Sequence, residues 1–125
     1  MTVVLDAGAL VAVDRGARES GYLVALARRE PGIAVTVAPV VTQVWRDGAR
    51  QARLARFLSL VDVRPVDEDT ARRAGGLLAA AGTSDAVDAL LVDAAGPGDT
   101  IVTGDGDDIE RLVRASGRPV TVARV

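Results

Sequence analysis

The chain predicts an α/β protein: one domain, residues 1–125, with a mostly parallel central sheet of four to five strands flanked by helices. Two observations carry that expectation. Short apolar runs that read as buried strands are separated by segments with helical spacing, the pattern of a parallel sheet with crossover helices. The first run, Val3-Val4-Leu5, is continuous rather than alternating, as a strand covered on both faces must be. A third feature points to where chemistry would sit. Acidic residues follow two strand-like runs directly, and the carboxyl ends of strands are where sites assemble in open α/β sheets.

In order, Thr2 to Leu5 reads as the first strand and Ala7 to Val13 as a short apolar helix ended by Asp14-Arg15-Gly16. Gly21 to Arg29 reads as a second helix, stopped by Pro31-Gly32. Ile33 to Ala38 is the next strand. Pro39 opens a helix at a first-turn position it tolerates, with Val40, Val41, Val44 and Trp45 on one face. After a break at Gly48, Ala49 to Leu58 continues as another helix. Val61 to Val66 alternates and reads as an edge strand. Asp67 to Thr70 is an acidic helix start leading into Ala71 to Ala81. Thr83 to Ala95 is a further helix, Thr100 to Thr103 a strand, Asp107 to Ala115 the last helix and Val120 to Val122 the last strand.

Composition removes whole classes of chemistry. Cysteine and histidine are both absent, so no thiolate, zinc-thiolate site or His base is available. Lysine is absent too, and all 15 basic residues are arginine, which excludes P-loop and Schiff-base lysines. Hydrophobic residues make up 49% against 26% charged, which excludes a disordered chain. Net charge of −2 leaves any nucleic-acid affinity to local arginine clusters. No apolar run approaches a membrane span and no secretory signal is read, so the cytoplasm is the expected compartment.

What remains is oxygen chemistry. Asp6 follows the first strand, Asp105 follows the fourth, and Asp88 opens an otherwise apolar helix, with Asp85 three residues before it on the same face. Asp6 reads either as a site carboxylate or as a helix N-cap. Asp85 reads equally as a site residue or a first-turn acid. Asp107, with Glu110 three residues on, reads as a cap, and Asp108 as an outer member of the site. Thr103 is placed to hydrogen-bond a carboxylate or a metal-bound water. Two carboxylates about 4 Å apart repel by roughly 4 kcal/mol at an effective dielectric near 20. Asp6, Asp88 and Asp105 together therefore point to Mg²⁺ or Mn²⁺, which would relieve that repulsion and activate water. Neutralising Asp6 and Asp88 without metal is expected to leave the fold intact or stabilise it.

Val3-Val4-Leu5-Asp6-Ala7, Ser84-Asp85-Ala86-Val87-Asp88-Ala89 and Val102-Thr103-Gly104-Asp105 together resemble the three acidic motifs of the PIN domain, and more narrowly those of VapC-type toxins. The resemblance implies a Mg²⁺- or Mn²⁺-dependent endoribonuclease, a homodimer, held inactive by a cognate VapB-type antitoxin. It implies metal-binding roles for Asp6, Asp88 and Asp105, with Thr103 or Asp108 assisting. One departure stands out: the family's usual glutamate on the helix after the second strand corresponds to Gln43, which brings no charge. Asp85 would replace that charge, or else the module binds RNA or protein without cutting. Phosphoaspartate receivers and haloacid-dehalogenase phosphatases fall away for want of a late lysine and of an aspartate at position 8, respectively. Finally, Arg46, Arg50, Arg53 and Arg56 would form one stripe for RNA phosphates if the helix ran on past Gly48.

Overall fold

A computed structural model of the chain describes all 125 residues. Five strands form one sheet in the order β3-β2-β1-β4-β5: β1 Val3–Leu5, β2 Ala34–Val37, β3 Asp62–Arg64, β4 Thr100–Thr103 and β5 Thr121–Arg124. Every pairing is parallel. β1 lies in the middle because it is the run that tolerates complete burial, and all three of its residues are buried. The order in which strands are added reverses at β1: β2 and β3 extend the sheet on one side, β4 and β5 on the other. That is the switch point at which open α/β sheets leave a crevice.

Seven helices cover the sheet: α1 Ala7–Asp14, α2 Gly21–Arg29, α3 Ala38–Val44, α4 Ala52–Leu58, α5 Glu68–Ala81, α6 Ala86–Ala94 and α7 Asp107–Ser116. A single 3-10 turn, Arg18–Ser20, leads into α2. The helices fall into two packed groups, α1 with α2, α3 and α4, and α5 with α6 and α7. Between them they bury one core of 24 apolar side chains, including Leu5, Leu10, Leu23, Leu54, Leu91 and Ile101. The starts of β1 and β4 are tied together by Asp99, which accepts from Thr2 N at 2.8 Å and from Gly96 N at 2.8 Å. No single helix is long and apolar enough to cross a membrane.

Two expectations need correcting. The helix from Pro39 does not carry Trp45 or run on past Gly48. It ends at Val44, and Trp45 already has an extended backbone (φ −78°, ψ 131°). Gln51 enforces the break: its side chain accepts from Arg46 N (2.7 Å) and Asp47 N (3.0 Å) and donates to Val44 O (2.9 Å). Helix resumes only at Ala52, so Arg46 and Arg50 stand outside helices while Arg53 and Arg56 lie in α4. The four arginines therefore share no single helical stripe. Asp107 is likewise no cap. Gly106 occupies that position without a side-chain bond, and Asp107 pairs instead with Arg124 at 3.2 Å.

Candidate acidic site at the carboxyl ends of the strands

Asp6 leaves the end of β1 and serves two ends at once. Its Oδ1 accepts from Ala9 N at 2.9 Å, which caps α1. The same carboxylate accepts from Gly104 N at 3.1 and 3.2 Å, and from the hydroxyl of Thr103 at the end of β4. Cap and site residue are thus one role and not two alternatives. Thr103 is fully buried and Asp6 only 9% exposed, so this link lies in the protein interior. Thr103 Oγ1 also accepts from Asp105 N at 3.1 Å, which fixes the first turn of the loop carrying Asp105.

Such close approach needs bare backbone. A Cβ on Gly8 would lie 2.6 Å from Gly104 Cα, and one on Gly104 would lie 2.9 Å from Gly8 Cα. The first turn of α1 therefore rests on the β4–α7 loop, and the two glycines let them touch. Sequence reading passed over both glycines, although a glycine in the first turn of an apolar helix and another directly after a strand were visible signals.

The result is a cleft of about 560 Å³ lined by Asp6, Gly8, Asp85, Asp88, Gly104, Asp105, Asp107 and Asp108. Six of the eight are aspartates, and none is basic or apolar. Asp85 caps α6, accepting from Asp88 N at 3.0 Å, so it too combines capping with a place on the cleft. Burial pushes the Asp88 carboxyl up to about 6, reinforced by the negative charges of Asp85, Asp6, Asp108 and Asp105. Asp105 and Asp108 are exposed on the rim. Asp107 lines the cleft as well, although the sequence suggested only a cap. Gln43 is exposed on α3 and is not among the lining residues. Of the arginines, Arg46 folds back onto Thr42 O and Trp45 O at 3.1 and 2.7 Å, and Arg50 lies near Asp47 at 3.9 Å.

An all-carboxylate donor set is the kind hard divalent ions take. The carboxylates feel one another's charge, yet no three of them gather at ligating distance. Coulombic coupling reaches further than a coordination bond, so the two observations agree. The donor set matches a hard divalent ion by chemistry and charge, but not by the spacing of the carboxylates in this structure.

The five-stranded parallel sheet and its flanking helices form a PIN-like α/β fold. A solved structure of that kind, VapBC2 from Rickettsia felis bound to a DNA fragment from their promoter, matches with a TM-score of 0.67, covering 100% of this chain and 99% of that chain at 14% identity. At that identity the likeness establishes the fold. No protein-family model matches the chain, and no curated protein sequence matches it.

Proposed function

We propose that the protein is a metal-dependent endoribonuclease of the VapC type, acting in the cytoplasm on RNA and restrained by a cognate antitoxin, with a second copy of the chain as its partner in a homodimer. The observation that carries this reading is the cleft itself, where six aspartates and no cation side chain face a shared space. Its repulsion is a standing cost that a divalent ion removes. The VapBC2 neighbour supports an antitoxin partner by shared fold.

Asp6, Asp88 and Asp105 would hold Mg²⁺ or Mn²⁺, with Asp108 at the rim, and the bound ion would lower the pKa of a water to supply the nucleophile. Asp6 is held rigid by its three donors, Ala9 N–H, Gly104 N–H and the Thr103 hydroxyl, and so presents an oriented oxygen at the base of the cleft. In the metal-free cleft Asp88 keeps its proton up to about 6, and a bound cation would draw it into the ionised, ligating form. Asp85 adds negative charge one turn away, where Gln43 adds none.

The test is cleavage of RNA by antitoxin-free protein with Mg²⁺ or Mn²⁺ against chelator, using Asp88→Asn and Asp105→Asn as inactive controls. Asp6→Asn is the poorer control because Asp6 also holds two elements together. Folded protein that cuts no RNA under any metal would sink this reading. It would favour the second one, a silent PIN-like module that binds RNA or protein. That alternative rests on Gln43 lying off the cleft lining, and Gln43→Glu probes it: a gain in cleavage would bring position 43 into the site.

A further inference from the structure

A second cavity lies at the far end of α1, about 12 Å along that helix from Asp6. It encloses about 360 Å³ between α1, α2 and α4. Its floor includes Val24, Phe57 and Leu60, and its rim carries Arg28 from α2 with Arg53 and Arg56 from α4. None of the three arginines makes a salt bridge, and no acidic residue lines the cavity. Of the other twelve arginines, six make salt bridges (Arg50, Arg64, Arg72, Arg73, Arg111 and Arg124) and six do not, so the distinguishing feature here is that three unpaired ones surround a single hollow. Three unpaired guanidiniums from two helices around one apolar hollow are a concentration of charge that the fold itself does not use.

We propose that this cavity binds a phosphate group carried on an apolar body, a nucleotide or the phosphorylated end of an oligonucleotide. Guanidinium forks match phosphate oxygens in geometry, and three of them suit a dianion better than a single carboxylate. The floor suits a base, and the volume is that of a small-ligand site and not of a docked helix. Gly16 (φ +66°) seats one of the three: a Cβ there would lie 3.0 Å from the Arg53 guanidinium carbon, so the guanidinium rests directly on bare backbone. Backbone N–H groups of Gly16, Ala17 and Gly21 are already spent on Val13, Ala12 and Arg18 carbonyls, which leaves the arginines as the donors. The site is independent of the acidic cleft, and its occupancy does not depend on cleavage.

Amide and arginine Nε chemical shifts of metal-free protein would be followed while adenosine 5′-monophosphate, adenosine, and uridine trinucleotides with 5′-phosphate or 5′-hydroxyl ends are added. The expected result is saturable shifts at Gly16 and Gly21 with the phosphorylated probes and none with adenosine or the hydroxyl-ended trinucleotide. Response to the trinucleotide alone identifies an RNA end as the source; response to both admits free nucleotide. Arg53→Gln/Arg56→Gln should weaken binding about tenfold or more. Arg28→Gln, on a different helix, should weaken it too and serves if the double variant unfolds. Equal binding of adenosine, no shifts with either phosphorylated probe, or undiminished binding by Arg28→Gln would overturn the proposal. So would saturation by a tri-glutamate peptide where phosphate probes fail.

Discussion

Asp88→Asn should stabilise the metal-free protein, and only above the pH at which Asp88 ionises. The carboxyl ordinarily titrates at 3.8 and here near 6, because burial and four neighbouring carboxylates oppose its charge. That rise corresponds to about 3 kcal/mol at full weight. Asp88 is only half-buried, and solvent screening reduces the figure to about 1 kcal/mol. Its favourable place in the first turn of α6 takes back about 0.3 kcal/mol or more, leaving roughly 0.5–1 kcal/mol. Since the folded state holds this proton more tightly than the unfolded one, the contribution of Asp88 to wild-type stability is most favourable below pH 4. It falls as pH rises toward 6 and is flat above. Asparagine has no proton to lose, so the variant's advantage should be absent at pH 4 and complete by pH 7, a gain of roughly 2–6 °C in midpoint. Thermal melts at pH 4, 5, 6 and 7.5 in chelator would measure it. An advantage equal at all pH values, or none at pH 7.5, would refute the claim that Asp88 is held in a repulsive acidic cluster. Adding Mg²⁺ at pH 7.5 should then raise the wild-type midpoint more than the variant's.

The other predictions concern the scaffold. Asp6→Asn should destabilise the protein by about 1–3 kcal/mol in urea unfolding, since an amide cannot accept from all three donors. Gly8→Ala should cost about 1–3 kcal/mol through collision with Gly104 backbone, measured the same way. Arg118→Ala should cost about 1–2 kcal/mol, because Arg118 caps the end of α6 through Ala95 O (2.6 Å) and Asp93 O (3.2 Å), leaving those carbonyls unpaired.

The strands were legible because covering both faces of a sheet requires unbroken apolar runs, and Val3-Val4-Leu5 and Ile101-Val102 have no other good use. The acidic residues after them were legible for the same reason: charge beside a buried strand is costly without a role. Less visible was anything set by contact across the chain. The break after Val44 depends on Gln51 reaching back over seven residues, although Asp47-Gly48 already signalled a turn. Asp107 falls one residue past the cap position, which Gly106 holds, and its carboxylate pairs instead with Arg124, 17 residues on in β5. Neutralising the two acidic residues also divides in a way the sequence could not show. Asp88 is opposed by its neighbours' charges, whereas Asp6 is held by hydrogen bonds, so removing charge is expected to help at one and harm at the other.

The contact between Asp6 and the Thr103-Gly104 step joins residues 97 and 98 apart in sequence. Pairing β1 with β4 closes a far longer loop than pairing β1 with β2, and so costs more chain entropy. Partly folded chains can therefore hold β1 against β2 and still have no cleft, because half of its aspartates have not reached their places. Whatever the acidic groups do, they do it only in the finished molecule. The seam between Gly8 and Gly104 is therefore where the two halves of the chain are joined into one cleft.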